Sequence, residues 1–302
     1  MPEGHSVHRI ARQFALHFVG HRVAASSPQG RFSAGASRID GQVMVKSRAV
    51  GKQMFLEYDN ALWLHVHLGL YGAWDFAGDL TAGAPSGSRS GSMGAPRRRL
   101  RMAEQESLSD SPEPFPPAPV GAVRVRLLTA TTVGDLRGPT ACDVLTAEEV
   151  QAILDRLGPD PLVDSAKKGE ERFVAVVAKK PTPIGLLLMD QSVVSGIGNV
   201  YRAELLFRAR LDPHTPGRDV PEAAVRALWK DWSALLKVGV KTGRMITMDA
   251  SDRTPHAFGT PRRRGNYWVY HRTGEPCRVC GSAIVMEEVG GRKLYYCPQD
   301  QV

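Results

Sequence analysis

The feature that most constrains this fold is a change of period part-way along the chain. The first part carries short strand-like runs, at 43–45, 54–58, 61–68, 72–76 and 123–129. In the last of these Val123, Val125 and Leu127 alternate with Arg124 and Arg126, as in a strand with one face buried. From Thr146 onward the apolar spacing is helical. Helices are expected over 146–157, 168–179, 183–191, 199–208 and 220–241, with Asp219 and Glu222 offering a capping box to the last. Strands followed by helices, rather than strands alternating with helices, predict an α+β multidomain chain with an N-terminal β-sandwich, flanking helices and a separate helical domain. An early helix over 6–19 carries Val7, Ile10, Ala11, Phe14 and Phe18 on one face, with Ser6 as its cap and Gly20 as its stop.

Two segments break the pattern. Residues 77–119 are rich in Gly, Ser, Ala and Pro around the basic run at 97–101, too polar to offset their own ordering entropy. They read as a disordered insertion between two strands, with the basic run solvated rather than bound to phosphate. Residues 244–266 are polar and rich in Arg, Gly and Pro, and read as a mobile loop. The expected domains are thus 1–145, 146–243, the loop 244–266, and a β-rich tail at 267–302. Helices 183–191 and 199–208, joined by a Gly-containing turn, fit a helix-turn-helix or an ordinary helical hairpin equally well.

Of the four cysteines, Cys277, Cys280 and Cys297 lie in the tail and Cys142 stands alone, expected to be a plain buried residue. The tail reads CRVC, then sixteen residues, then CPQD. A Cys-x-x-Cys pair facing a second pair across a hairpin is a tetrahedral zinc pattern, here with Asp300 in place of a fourth cysteine. A metal-free hairpin with leftover thiols is the alternative. The chain of 302 residues is 42% hydrophobic and 23% charged, which excludes wholesale disorder. No apolar run is long enough for a membrane span, and the charged start MPEGHSVHRIARQF does not resemble a signal peptide, so a cytoplasmic, nucleoid-associated protein is expected. Lys and Arg number 39 against 31 Asp and Glu, a net charge of +8 that suits a polyanionic partner.

Several separated stretches together resemble the formamidopyrimidine-DNA glycosylase/endonuclease VIII family, and more closely its endonuclease VIII branch. They are PEG at 2–4, VGK at 50–52, HLGLYG at 67–72, LGPDPL at 157–162, LLMDQSVVSGIGNVYRAELLF at 187–207 and GEPCRVCG…GRKLYYCPQDQ at 274–301. The resemblance spans the chain apart from the insertion. It implies a β-sandwich catalytic domain, a helix-two-turns-helix (H2TH) domain and a zinc-finger hairpin with one structural zinc. It implies a bifunctional DNA glycosylase and AP lyase, acting as a monomer on double-stranded DNA that contains oxidised bases, pyrimidines foremost, or abasic sites. No nucleotide or redox cofactor is expected.

The resemblance assigns roles that the residues can perform. With Met1 removed, Pro2 offers a secondary amine, whose reference pKa of about 8 leaves far more free base than a Lys at about 10.4. Attack on a sugar C1′ gives an iminium that cannot shed its charge by losing an N–H proton, and so acidifies C2′ for β-elimination. Glu3 takes the acid/base role. The resemblance groups Lys52 with Pro2 and Glu3 as catalytic, reaching the lesion-flanking phosphates from a β-hairpin; His67, Asn199 and Arg292 match phosphate-contacting positions, Asn199 at a helix N-terminus. Leu70 and Tyr71 match the pair that fills the gap left by an everted base. Arg137 matches another DNA-contacting position, while Pro139 stands where the other branch of the family carries Phe. A non-catalytic binder of damaged or abasic DNA is the rival reading; such a protein has no reason to carry Pro2, Glu3 and Lys52 together.

Overall fold

A computed structural model describes residues 2–80, 98–103, 106–110, 114–252 and 267–302. Its contacts divide the chain into two units, 1–156 and 157–302.

The first unit opens with helix α1 (Gly4–His17), followed by β1 (Arg22–Ser26), α2 (Ser33–Ile39) and β2 (Gln42–Val50). Next come β3 (Gln53–Tyr58), β4 (Trp63–His67), β5 (Ala73–Gly78), β6 (Arg98–Met102) and β7 (Glu106–Asp110). It closes with β8 (Val123–Leu128), β9 (Thr132–Arg137), β10 (Ala141–Leu145) and α3 (Ala147–Leu154). The strands run in the order β10-β4-β3-β2-β1-β8-β9-β5-β6-β7, every pair antiparallel. β1 joins the two halves: Arg22 and Val23 pair with β2, while Ala24 to Ser26 pair with β8. Met54, Leu56, Leu64 and Val66 from one half share a core with Trp74, Phe76, Val125, Leu127 and Leu136 from the other, the arrangement expected of a sandwich. α1 supplies the keystone. Its Phe14 ring meets Phe18 at 4.8 Å, Trp74 edge-on at 4.7 Å and Phe76 at 5.1 Å.

Three local expectations change. Ser6 lies inside the first turn of α1 rather than capping it, because the buried segment Pro2-Glu3-Gly4 already winds into the helix, with Glu3 at the N-cap. Part of the expected insertion is sheet: β6 pairs with β5 and β7 with β6, burying Leu100 and Met102. The rest of that segment (81–97, 104–105 and 111–113) lies outside the described residues. Helix α3, expected to begin the helical domain, belongs to the first unit, since Val150 packs on Phe55 and Trp63. Thr146 and Glu149 form a capping box at its start.

The second unit contains α4 (Ala166–Val177), α5 (Ile184–Leu187), α6 (Asn199–Arg208), α7 (Glu222–Thr242) and the hairpin β11 (Val285–Val289) with β12 (Arg292–Tyr296). Phe173, Tyr201, Leu206, Trp229, Trp232 and Leu236 form its main core. The Asp219–Glu222 capping box does not form. Pro221 holds the N-cap of α7, with no side-chain cap bond, and Asp219 ends a separate short turn two residues earlier. Between α5 and α6 the chain makes two turns, interlocked with 158–159. Gly158 N–H donates to Gln191 O (2.8 Å), Ser195 N–H to Pro159 O (3.0 Å) and Ser195 Oγ to Gly158 O (2.8 Å). The tail is seated on α6: Ala203 and Phe207 pack with Val269, Ile284, Tyr295, Cys277 and Cys297. Of the expected loop 244–266, residues 253–266 lie outside the described residues. Among the described residues no helix is long and apolar enough to cross a membrane.

Phe14 is fully buried among three aromatic rings, so Phe14→Ala is expected to lower unfolding free energy by about 3–5 kcal/mol, read as a drop in urea midpoint at unchanged slope.

Candidate DNA-processing site and zinc centre

Within the first unit, Pro2 and Glu3 are buried immediately before the first turn of α1, and the Glu3 carbonyl accepts from the Ser6 and Val7 N–H groups at 3.0 and 3.4 Å. Sequence reading missed His5, in the first turn of the same helix. It is 1% exposed, its Nε2 lies 3.2 Å from Ser6 Oγ, and its pKa is pushed down to about 3, by burial first and then by Arg9, His8 and the amino terminus. A His four residues before an Arg at the head of an amphipathic helix was the available signal.

Lys52 sits in the β2–β3 turn, and the next residue, Gln53, pairs in register with His67 at the end of β4. Burial, then Lys52 and then His65, hold the His67 imidazole below its ordinary pKa, so it is neutral beside the Lys52 cation. Leu70 and Tyr71 project from the turn after β4, 40% and 86% exposed. That turn is sterically fixed. Gly69 has a φ of +66°, and a Cβ there would lie 1.8 Å from Thr140 Oγ1, while one on Gly72 would lie 2.3 Å from Leu68 O. Arg137 ends β9, with Nη2 at 2.5 Å from Asp75 Oδ2, so its fork is held against the sheet. Cys142 is buried in the sandwich core, away from any metal-ligating cluster among the described residues.

In the second unit Asn199 opens α6 behind Gly198, which has no side chain with which to cap it. The Asn199 carboxamide is engaged internally. Its Nδ2 donates to Lys293 O at 2.7 Å, and its Oδ1 accepts from Arg202 Nη2 at 2.5 Å. Arg202, not anticipated from sequence, is fully buried, and its Nη2 also reaches Lys293 O at 3.1 Å. Arg292 is exposed at the start of β12, directly after the Gly290-Gly291 turn, whose φ values of +60° and +69° suit a two-residue hairpin connection. Asn199 and Arg292 thus lie on two elements tied together through Lys293.

The metal-ligating cluster is Cys277, Cys280, Cys297 and Asp300, with all four donor atoms within 4.8 Å of one another. Cys277 Sγ lies 2.9 Å and Cys297 Sγ 3.5 Å from Asp300 Oδ2, and Cys280 Sγ lies 3.4 Å from Cys297 Sγ. Donors around a tetrahedral zinc sit roughly 3.5 Å apart, given metal–ligand distances of about 2.0–2.3 Å, so the set fits the ion with little adjustment. The chemistry agrees, since three thiolates and a carboxylate suit Zn²⁺. With all four positions taken by side chains, such a site would be structural, with no aqueous fourth position.

A β-sandwich unit and a two-turn helical unit with a terminal zinc hairpin define a zinc-finger H2TH protein. Residues 1–113 match the formamidopyrimidine-DNA glycosylase N-terminal domain, 157–251 the formamidopyrimidine-DNA glycosylase H2TH domain, and 274–302 the zinc finger found in FPG and IleRS. Endonuclease 8 1 of Mycobacterium tuberculosis is 40% identical over 301 residues, covering 99% of this chain and 98% of its own. The formamidopyrimidine-DNA glycosylase of Thermus thermophilus is 36% identical over 152 residues, 49% of this chain and 55% of its own. Among solved structures, Lactococcus lactis Fpg bound non-covalently to DNA containing an AP site aligns over 99% of both chains with a TM-score of 0.72 at 18% identity. The chain belongs to the formamidopyrimidine-DNA glycosylase/endonuclease VIII family, with an endonuclease VIII relative matching it end to end.

His5 generates a pH prediction. Its folded pKa lies below its unfolded value of 6.5, so below pH 6.5 the unfolded chain takes a proton that the folded chain refuses. The associated stability is present above 6.5 and is lost as pH falls toward 3. At pH 5 the expected loss from this group is about 2 kcal/mol. Urea titrations at pH 7 and pH 5 should show that difference shrinking by a similar amount in His5→Gln; an equal pH dependence in both proteins would remove His5 as its source.

Proposed function

We propose that the chain is a bifunctional DNA glycosylase and AP lyase of base excision repair, using Pro2 as its nucleophile and excising oxidised bases, pyrimidines such as thymine glycol foremost. The observation that carries this is a Pro2-Glu3 start, buried at the head of α1, in a chain matched along its whole length by an endonuclease VIII.

Once Met1 is removed, the Pro2 nitrogen attacks C1′ of the damaged nucleotide, forming an N–C1′ bond as the glycosidic bond breaks and the base leaves. Glu3 protonates the ribose ring oxygen, which opens the sugar to an iminium. The iminium acidifies C2′, whose proton passes to the Glu3 carboxylate as the C3′–O bond breaks and the 3′ phosphate departs; a second elimination then releases the 5′ phosphate.

The remaining residues grip the duplex. Lys52 supplies charge and His67, neutral by virtue of its surroundings, supplies a hydrogen bond to phosphates near the lesion. Arg292 and the N-terminus of α6 at Asn199 hold the backbone further along. Leu70 and Tyr71 enter the stack when the base is everted, and Arg137, released from Asp75, reaches the opposite strand. The protein works as a monomer on double-stranded DNA in the cytoplasm, at the nucleoid.

Borohydride reduction on an abasic oligonucleotide should trap a covalent adduct with the Met1-free protein and none with Pro2→Gly. No adduct from protein verified as Met1-free would sink the lyase assignment and leave a DNA-binding protein. Tyr71→Ala is expected to slow excision of an intact lesion roughly tenfold, in line with a stacking contact of about 1–3 kcal/mol, while cleavage at a preformed abasic site falls less. Equal losses on both substrates would take Tyr71 out of the eversion step.

A further inference from the structure

The metal cluster has a carboxylate where an all-thiolate site would need no help with orientation. A thiolate has one donor atom, whereas a carboxylate has two oxygens and can swing, ligate through both or turn away. The second unit contains a device that removes this freedom. Helix α6 ends in a Schellman corner: Arg210 N–H donates to Phe207 O at 3.0 Å and Leu211 N–H to Leu206 O at 3.1 Å. The residue at the left-handed position of such a corner is usually Gly. Here it is Arg210, with a φ of +55°. Its guanidinium lies over the Phe207 ring at 5.2 Å, and that ring stacks on Trp268 at 5.4 Å. From this footing Arg210 Nη1 holds Asp300 Oδ1 at 2.5 Å, leaving Oδ2 facing Cys277 and Cys297.

The same corner grips the neighbouring ligand. Leu211 O accepts from Gln301 Nε2 at 3.1 Å, and Gln301 Oε1 accepts from Cys297 N–H at 2.9 Å. Two successive residues of the corner therefore position two ligands of the metal centre. An exposed ion pair would ordinarily count for little, and Arg210 is 46% exposed. Asp300 is only 13% exposed, however, and its other oxygen is committed to the thiols. Zinc bound by three thiolates and a carboxylate also carries a net double negative charge, which the guanidinium offsets in part.

We propose that Arg210 is a positioning residue of the zinc centre: it pins Asp300 Oδ1 so that Asp300 ligates zinc through Oδ2 alone. The proposal rests on the reading that Asp300 is a ligand. The backbone of Arg210 adopts a conformation that glycine would hold more easily, and the side chain held there is the one that answers the carboxylate.

The test is a double-mutant cycle on the zinc-loaded full-length protein, reading zinc affinity by chelator competition and the cobalt(II) absorption spectrum after metal exchange. Arg210→Gly suits the corner and should leave the circular dichroism of the metal-saturated protein unchanged. It should weaken zinc by at least about tenfold, the usual scale for losing an outer-shell partner, and shift the cobalt ligand-field bands. Arg210→Lys should recover part of the loss. In an Asp300→Cys background, where one sulfur replaces two oxygens, Arg210→Gly should change affinity by less than about twofold. Wild-type affinity in Arg210→Gly, or an equal loss in both backgrounds, would overturn the proposal. Zinc affinity and content unchanged in Asp300→Ala would overturn it at its root by removing Asp300 from the ligand set. Weakened zinc in Asp300→Ala with none in Arg210→Gly would keep the ligand and discard the positioning role.

Discussion

The second unit depends on one carboxylate that has no contact with water. Glu204, fully buried in α6, accepts from Thr247 Oγ1 at 2.5 Å and from the N–H groups of Trp268, Val269 and Tyr270 at 2.8, 2.9 and 2.9 Å. Burial pushes its pKa up, and the four donors pull it back toward an ionised acceptor. An unsatisfied buried N–H costs about 1–3 kcal/mol, and three consecutive ones here have the same partner. With 268–270 fixed to α6, Trp268 stacks on Phe207, and the hairpin lies where Lys293 O can receive Asn199 and Arg202. The phosphate-gripping residues proposed for this unit, Asn199 and Arg292, thus sit on a frame set from inside the protein.

The first unit handles charge in the opposite way. It buries imidazoles and keeps them neutral. His5, His17, His65 and His67 all lie below their ordinary pKa, with burial the leading cause in each. Of these, His5 lies three residues from the proposed nucleophile Pro2, in the first turn of α1. One of the unit's cations, Arg126, is paired across the sheet with Asp135 at 2.7 Å.

Much of this was legible in the sequence because its signals are contiguous. The 3.6-residue stripe of α7, the alternation in β8, the Cys-x-x-Cys turn and the PEG start each lie within one short window. What escaped depends on partners far apart in the chain. Arg210 and Asp300 are ninety residues apart, and nothing in either neighbourhood announces the other. Asn199 matched a phosphate-contacting position, yet its carboxamide is engaged by Arg202 and Lys293, which only the packed hairpin reveals. Strands β6 and β7 were hidden by the composition around them. Leu100 and Met102 are too few to give a periodic signal, and only pairing with β5 makes them core. Helix α3 reads as the start of the helical domain because it is a helix, but its apolar face belongs to Phe55 and Trp63.

The turn bearing Leu70 and Tyr71 leads one step further. Its shape is dictated by close contacts of Gly69 with Thr140 and of Gly72 with Leu68, not by anything Tyr71 touches. The phenol ring therefore stands in solvent as a rigid prong, on a backbone that has already given up its conformational freedom. A probe inserted into stacked bases by such a backbone has little loop entropy left to lose on insertion, so discrimination between sound and damaged sites falls to how readily the duplex opens.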